Sequence, residues 1–371
     1  MTSSIGPGIY GPDATGIRAA PRIVVGNALA GDSSSEVDFL DTGNCAGLNA
    51  AIIAANAGPY DVWVRPGTLD LSLVGAPAIL TSPADGVRIR GAGKGLVTIR
   101  SQAVGEQRIW RITNDRIEIS GFTFFLQDGD GTGVLNDLVV LDGNECRLED
   151  CEFAVDPLID PNNTAVTHLL EIGGDFNQIV KCFGGHLGQN LPGFNAVSGA
   201  DLTAFFCDEI TDFVLCRVWG ADIAYILGGG RAVDCESRSS NRIGFQILGG
   251  TNAKLITPEI HDAPEIGIQV LAGGTDLLIS SPRLSLNPGA IGIEINGDRT
   301  QIEGGAIDEV TIGIDCYSDN NQIEGINIEA SATGIVFNGG SDNNIEIGAQ
   351  INAPTPIDDL GFNNDISHNQ P

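Results

Sequence analysis

Between residues 244 and 347 the sequence repeats a short block that begins with glycine. The block occurs five times, as Gly244-Phe245-Gln246-Ile247, Gly267-Ile268-Gln269-Val270, Gly292-Ile293-Glu294-Ile295, Gly313-Ile314-Asp315-Cys316 and Gly334-Ile335-Val336-Phe337. A second apolar block follows each of the first ones, and turns such as Ser318-Asp319-Asn320-Asn321 and Ser341-Asp342-Asn343-Asn344 separate them. A period of about 20–25 residues made of short β-branched runs predicts a solenoid of β-coils, in which each repeat buries its apolar face against its neighbours.

Composition agrees with a turn-dense β protein and restricts its partners. The 371 residues include 50 glycines and one methionine, and the formal net charge is -29. Such a surface repels nucleic acid and anionic lipid, so we expect neither as a partner. No Lys or Arg occurs from residue 300 onward. That acidic stretch is either a solvated surface or a row of cation-binding carboxylates.

Cysteine usage and the N-terminus indicate the compartment. The eight cysteines are scattered, without a CxxC pair or the spacing of a metal site, so we expect reduced thiols packed as small apolar side chains. The first residues lack the basic and apolar regions of a secretion signal, and no apolar run approaches a membrane span. The sequence therefore predicts a protein made in the cytosol, with no membrane partner.

The chain divides into four predicted parts. Residues 1–36 form either an arm that orders only against a partner or the first coil, or a disordered leader. Residues 37–62 contain a capping helix, for which Asn44 can serve as the N-cap and Leu48, Ile52 and Ala55 share one face. This helix is expected to cover the open end of the stack. Residues 63–350 form the β-coils, with longer loops over 156–167 and 184–199, and residues 351–371 form a polar tail.

Several stretches resemble one known family. Residues 61–71 (DVWVRPGTLDL) after an Ala-rich helix look like the opening coil of pectin-lyase-like right-handed parallel β-helices. Residues 87–95 (VRIRGAGKG), 116–124 (RIEISGFTF) and 144–153 (NECRLEDCEF) are similar to strands of its later coils. The resemblance covers roughly residues 40 to 350. It implies an all-β fold, a right-handed single-stranded parallel β-helix with an N-terminal capping helix.

The resemblance also implies carbohydrate chemistry, for which the candidate residues are few. Enzymes of that family are lyases that use Ca²⁺ with a basic residue, or hydrolases that use paired carboxylates. The hydrolase motif set is missing here. The candidate catalytic residues are Asp208, Asp212, Arg217, Asp234 and Glu236, with Cys235 facing inward. Because carboxylates on neighbouring coils of any acidic β-helix come within the separations used by glycosidases, solvated surface carboxylates are the alternative.

Metal candidates are similarly limited. Glu303, Glu324 and Glu346 are expected at equivalent positions on successive coils, where they either splay into solvent or share a cation such as Ca²⁺. Residues 128–133 (DGDGTG) resemble part of a calcium loop, but Thr132 and Val139 occupy two of its ligand positions, which favours a glycine-rich turn or protruding loop instead. His261 is interpreted as a loop residue rather than a base. No other cofactor is expected.

Function is predicted from the fold, the N-terminal arm and the missing active-site motifs. The hypothesis is a virion structural protein made in the host cytoplasm: a phage tail-spike-like or capsid-decorating β-helix. We expect a homotrimer that attaches to other virion proteins through residues 1–36 and touches host glycan. The alternative is a polysaccharide depolymerase, virion-borne or extracellular, with a groove in which the five candidate residues converge. A third class is an intracellular scaffold that binds protein partners along its flank.

Overall fold

The structure, a computed structural model, describes residues 21–71, 80–102, 109–127, 137–155, 168–186, 202–249 and 252–369. These residues form 33 strands, one α-helix and one 3-10 helix. The N-terminal elements are β1 (Arg22–Asn27), the 3-10 helix (Ala28–Ala30), β2 (Phe39–Asp41), α1 (Ala46–Asn56), β3 (Asp61–Val64), β4 (Gly67–Asp70), β5 (Arg88–Gly91), β6 (Val97–Gln102), β7 (Trp110–Ile112), β8 (Glu118–Ser120), β9 (Thr123–Gln127), β10 (Asp137–Leu141), β11 (Arg147–Glu149) and β12 (Glu152–Val155).

The middle and C-terminal elements are all strands. They are β13 (His168–Ile172), β14 (Asn177–Val180), β15 (Phe183–His186), β16 (Thr203–Val214), β17 (Arg217–Trp219), β18 (Ile223–Val233), β19 (Glu236–Arg238), β20 (Ile243–Ile247), β21 (Lys254–Ile256) and β22 (Glu259–His261). They continue with β23 (Ile266–Val270), β24 (Leu278–Ser280), β25 (Arg283–Ser285), β26 (Ile291–Ile295), β27 (Gln301–Glu303), β28 (Ala306–Cys316), β29 (Gln322–Glu324), β30 (Asn327–Phe337), β31 (Ile345–Asn352), β32 (Thr355–Asp359) and β33 (Asp365–Asn369).

The strands stack in parallel as three columns, which we call sheets A, B and C. Sheet A contains β1, β3, β5, β8, β11, β14, β21, β24, β27, β29 and β33; sheet B contains β4, β6, β9, β12, β15, β17, β19, β22 and β25; sheet C contains β7, β10, β13, β20, β23, β26 and β32. The long strands β16, β18, β28, β30 and β31 each bend from one sheet into the next. The chain passes from A to B to C and then returns to A one coil further on. This is the predicted right-handed parallel β-helix.

The interior is filled differently along the helix. From Trp110 to Phe245, buried aromatic rings contact one another from coil to coil, with centroids 4.4 to 6.1 Å apart. Beyond Phe245 the described core consists mainly of Ile, Val and Leu. Here the repeated glycines pack in one column of sheet C. A Cβ added to Gly313 would lie 2.4 Å from the carbonyl oxygen of Gly334 on the next coil. Glycine recurs at this position because a side chain would clash with the neighbouring backbone.

The N-terminal helix packs as predicted, but its cap is different. α1 lies against β1, β2 and β3, with Leu48, Ile52 and Ala55 buried. The N-cap prediction for Asn44 is wrong, since the N-cap residue is Cys45, which makes no side-chain cap bond. The buried carboxylate of Asp41 instead accepts from the backbone N–H groups of residues 43, 45 and 48 at 2.8, 3.0 and 3.1 Å. Asp41 reaches these donors from the end of β2, and this anchors the helix to the first coil.

Two of the predicted boundaries change. Within the predicted arm, β1 pairs with β3 of the first coil, so residues 22–27 belong to the β-helix. Residues 1–20 lie outside the described residues. The predicted polar tail is wrong for residues 355–369, because β32 stacks on β30 and β33 on β31. Ile357 and Ile366 are half-buried against the core and continue it. Prolines at 354 and 356 concealed this coil in the sequence, although proline is compatible with an edge strand.

Candidate functional site

A groove of about 830 Å³ runs along the outer face of sheet B and its corner with sheet A. Its centre is formed by Phe183, Arg217, Trp219, Glu236 and Glu259, which come from four successive strands of sheet B, β15, β17, β19 and β22. The first residues of these strands are direct register partners, so their side chains form one row across the coils. The sequence predicts that Arg217, Asp234 and Glu236 lie close together, and all three line this groove.

The local backbone explains why these side chains face outward. In the three coils at the centre of the groove, the corner from sheet A to sheet B has two residues, and the first of them has a positive φ: 55° at Lys181, 56° at Leu215 and 50° at Asp234. The second is an inward-facing cysteine in all three coils, buried as predicted for Cys235. The residue after the cysteine points outward and is the first residue of the sheet B strand. The repeated corner therefore supplies one groove residue in every coil.

Glu236 is the electrostatic centre of the groove. Its side chain is only 9% exposed and lies between two guanidinium groups, that of Arg217 at 3.2 Å and that of Arg238, which donates to the other carboxylate oxygen. The two arginines are more than half exposed. A largely buried carboxylate needs such charge-assisted partners, since burying it alone is costly. Glu236 thus holds both arginines in fixed positions at the groove surface.

Trp219 gives the groove an aromatic wall. The edge of its ring system meets Phe183 with centroids 5.3 Å apart and an 88° interplanar angle, and the Arg238 guanidinium lies 5.9 Å from the Trp219 ring. These contacts are of the kind that fix an aromatic side chain in one orientation. The indole N–H is covered and finds no acceptor among the described residues. Unsatisfied buried donors are uncommon in native proteins, so the position of this indole is not explained by packing alone.

Glu259 and His261 extend this network to the next coil. His261 Nε2 lies 3.1 Å from Glu259 Oε1, and one ligand atom from each of Glu236, Glu259 and His261 falls within 4.8 Å of the others. The interpretation of His261 as a loop residue is wrong, because His261 is the last residue of strand β22. With Arg217 and Arg238 already bound to Glu236, positive charge occupies the place that a cation would need. We therefore regard the cluster as a hydrogen-bonding network.

Sequence reasoning missed Trp219, Arg238, Glu259 and His261. The signal was available, because β-strand alternation from the inward Cys235 points Arg238 outward two residues beyond Glu236. The 23-residue coil offset then places Glu259 beneath Glu236 and His261 beneath Arg238. The residues escaped notice because the middle coils vary in length and hide the register.

Asp208 and Asp212 do not join the groove, so the predicted convergence is wrong for them. Asp212 lies on sheet A, where it pairs with Gln178 and Arg231 of the adjacent coils and forms an ion pair with Arg231. Asp208 lies where β16 bends between sheets C and A. The continuous 12-residue strand β16 carries both acids around a different corner, a bend that the sequence pattern did not reveal.

The predicted row of three glutamates is wrong at Glu346. Glu303 and Glu324 are register partners on sheet A, but Glu346 pairs with Ile323 and is fully buried. One of its carboxylate oxygens accepts from the backbone N–H of Ala349 at 2.8 Å, and the other has no partner among the described residues. The register is fixed by an asparagine ladder, in which Asn344 accepts from the N–H of Asn321. Aligning the two SDNN turns, rather than the Ile-Glu pairs, would have shown this.

Other sequence candidates lie outside the described residues. These are the partial calcium motif at 128–133, the predicted loop at 156–167 and most of the predicted loop at 184–199. The calcium expectation for Glu303 and Glu324 stays a prediction. No helix among the described residues is long and apolar enough to cross a membrane.

Comparisons with known proteins bear on the fold. No protein-family model and no curated protein matches the sequence. Among solved structures, the chain is similar to the A-module of Azotobacter vinelandii mannuronan C-5 epimerase AlgE4, with a TM-score of 0.63 and 17% identity over 93% of this chain and 98% of that one. The chain therefore has a parallel β-helix fold.

Phage proteins share this fold. The Dettilon tailspike protein superimposes with a TM-score of 0.57 and 10% identity over 84% of this chain and 64% of that one. The tailspike protein of E. coli bacteriophage HK620, in complex with a hexasaccharide, gives 0.55 and 10% over 92% and 70%. Identities this low establish the β-helix and leave the activity to be argued from the groove.

Proposed function

We propose that this protein is a virion-associated, tailspike-like β-helix that binds a host-surface polysaccharide in the sheet B groove. The observation that carries the proposal is the oriented Trp219, flanked by Arg217, Arg238, Glu236 and Glu259 on an open face. An aromatic face beside fixed hydrogen-bonding groups suits a sugar, which has an apolar C–H face and a rim of hydroxyls. The HK620 tailspike complex with a hexasaccharide supports the same assignment.

The shape of the groove favours a polymer over a single sugar. Its lining extends from Lys94, beside β6, to Glu259 on β22, so it crosses several coils along the helix axis. The net charge of -29 disfavours a polyanion. Of the cations that line the groove, Lys94 and Arg217 are already paired with carboxylates, and the acidic lining residues outnumber the basic ones. We therefore expect a polysaccharide whose repeating unit has no net charge.

Array binding tests this proposal. Purified full-length protein is applied to an array of bacterial surface polysaccharides, both neutral and acidic, beside Trp219→Ala and the control Tyr317→Ala. Tyr317 is half exposed on a coil far from the groove. We expect wild type and Tyr317→Ala to retain the same neutral polysaccharide and Trp219→Ala to bind it at least tenfold more weakly. Equal retention by all three proteins, or none by wild type, would contradict the groove assignment.

The virion part of the proposal rests on the tailspike likeness and includes three expectations. The protein is made in the host cytoplasm, forms a homotrimer and attaches through the part of the predicted arm that precedes β1. Light scattering of the full chain tests the trimer, for which the expected mass is three times the 38.6 kDa chain. A mass of one chain at micromolar concentration would rule out the trimer without affecting the glycan-binding groove.

One observation favours a second candidate, polysaccharide depolymerisation. The Glu236 and Glu259 carboxylates approach within 4.8 Å, near the separation of about 5–5.5 Å used by retaining glycosidases. Against it, both carboxylate oxygens of Glu236 are already engaged by the guanidinium groups of Arg217 and Arg238. Incubating the bound polysaccharide with protein and counting new reducing ends distinguishes the two functions. Release that disappears in Glu259→Gln would identify an enzyme.

A further inference from the structure

A second cavity opens beside the groove, on the outer face of sheet A. Its volume is about 580 Å³. Arg90 from β5, Ser120 from β8 and Glu149 from β11 line it, and they are register partners on three successive coils. Asp150 and Lys181, at the corner between sheets A and B, line both this cavity and the groove. The two depressions therefore meet at that corner.

A crossing segment of backbone separates the groove from the cavity. A Cβ added to Gly121 would lie 2.8 Å from the carbonyl oxygen of Gly91 and 3.2 Å from the Cα of Gly93. The backbone that joins these two glycines therefore passes over the corner at Gly121, where a side chain would clash. Lys94 follows directly and lies 3.2 Å from the carboxylate of Asp150. The segment lies between the two depressions, since Gly93 lines the cavity and Lys94 lines the groove.

The two depressions overlap along the helix axis but lie on different faces. The groove follows sheet B from Lys94 past Trp219 to Glu259. The cavity follows sheet A from β5 to β11 and meets the groove at Lys181. An unbranched chain in the groove would leave the cavity unfilled, or it would turn the corner and leave the first part of the groove unfilled. A chain that branches at the corner fills both.

The lining of the cavity is polar and balanced in charge. It has three basic and three acidic side chains, those of Arg90, Arg147, Lys181, Glu118, Glu149 and Asp150. Arg147 Nε lies 3.2 Å from Glu149 Oε2. The backbone N–H groups of Ala92 and Gly93, which also line the cavity, donate to no acceptor among the described residues. Such a surface offers hydrogen-bond donors and acceptors without surplus charge, which suits the hydroxyl groups of an uncharged sugar.

From this geometry we infer that the polysaccharide in the groove is branched. Its main chain lies along sheet B, and a short uncharged side branch enters the sheet A cavity between Asp150 and Lys181. The inference rests on the proposed function and names the class of polymer that the groove takes. A site built to hydrogen-bond a group discriminates against a ligand that lacks that group. The same main chain without its branches should therefore bind more weakly.

Paired polysaccharides on an array test the inference. Each neutral branched polysaccharide is printed beside its own main chain, from which mild acid has removed the side branches. We expect full-length wild type to retain the branched member of one pair at least tenfold more strongly than the main chain. Ser120→Phe, which fills the cavity, should remove this preference.

The matched control is Ser280→Phe, which should keep the preference. Ser280 lies in the same outward column of sheet A as Ser120, on a later coil that lines neither depression. Circular dichroism confirms that each variant is folded. Arg147→Ala, which removes another side chain of the cavity lining, should reduce the preference several-fold and serves if Ser120→Phe does not fold.

Two results would overturn the inference. They are equal retention of both members of every pair by wild type, and a preference that survives in both Ser120→Phe and Arg147→Ala. If wild type retains both members equally and Trp219→Ala retains neither, the groove assignment stands and the side branch alone is wrong. If wild type retains no member of any pair, the proposed function itself is wrong, and the inference fails with it.

Discussion

The coils before residue 240 and those after it follow the same path but are built by different rules. The later coils repeat a glycine in one column of sheet C, at Gly244, Gly267, Gly292, Gly313 and Gly334. In the earlier coils the same column holds larger buried side chains, Leu138, Leu169, Ala204 and Ala224. Aromatic rings fill the earlier interior, and Ile, Val and Leu fill most of the later one.

The candidate functional residues are distributed as unevenly along the β-helix as the two kinds of packing. The groove extends from Lys94, beside β6, to Glu259 on β22, so most of it lies in the irregular half. The regular half has the asparagine ladder and, after Arg299, no basic residue. The regular coils act as a scaffold whose pattern is set by packing. The irregular coils depart from that pattern where side chains are needed for binding.

The largest effect is expected from emptying the aromatic interior of the earlier half. Phe205 is fully buried and meets Phe153, Phe213 and Tyr225, so Phe205→Ala should lower the free energy of unfolding by about 4 kcal/mol through the cavity it leaves. Urea unfolding measures this, with Ile293→Val in the later half as a control expected to cost about 1 kcal/mol. Equal losses of unfolding free energy in the two variants would show that the aromatic stack contributes no more to stability than the aliphatic packing of the later half.

Filling the glycine column should cost somewhat less. A Cβ at Gly313 meets the backbone oxygen of Gly334 at 2.4 Å, so Gly313→Val should destabilise the protein by about 3 kcal/mol through overpacking. The matched control is Ala224→Gly, in the same column of the earlier half, where a loss of about 1 kcal/mol is expected. If valine at position 313 were tolerated, the sheet C column of the later half could hold side chains as the earlier half does, and the two halves would not differ in this respect.

Alkaline pH should act mainly through the earlier half, which contains seven of the eight cysteines. Burial raises the pKa of the Cys207 thiol to about 11 from an ordinary value of 9.0. The unfolded chain therefore loses this proton first, so the stabilisation is complete below pH 9 and is lost as pH rises towards 11. The slope is about 1.4 kcal/mol per pH unit for this thiol.

Urea midpoints at pH 8 and pH 10.5, measured under reducing conditions, follow that slope. Cys207→Ala should show a shallower loss than wild type over the same interval. An unchanged slope would mean that the Cys207 thiol does not remain protonated in the folded protein.

The smallest effect on stability is expected in the groove. Arg217 is 64% exposed, and Glu236 keeps its contact with Arg238 when Arg217 is removed. Arg217→Ala should therefore change the free energy of unfolding by less than 1 kcal/mol, as for other exposed ion pairs. It should nevertheless weaken polysaccharide retention on the array several-fold. A large loss of stability would assign the groove charges to folding instead of binding.

The regular half could be predicted from sequence because its apolar blocks repeat at nearly constant spacing. The glycine column and the inward Cys235 followed from that spacing, and so did the β-helix. Register was harder to infer, as Glu346 shows. Aligning the Ile-Glu pairs and aligning the SDNN turns give registers that differ by one residue, and the one-residue shift reverses which side chain is buried. In the middle of the chain, β16 and β18 bend without a break, so Asp208 and Asp212 could not be separated from Arg217 by pattern alone.

Tryptophan fluorescence tests the central claim, that the irregular half holds the binding face, most directly. The polysaccharide retained on the array is fragmented and titrated into wild type and Trp219→Phe. Trp110 is fully buried, and Trp63 lies in the first coil beneath Arg22, so a change on binding should come from Trp219. The account predicts a saturable change in wild type that is missing from Trp219→Phe. The same change in both proteins, or none in wild type, would place the sugar elsewhere and contradict it.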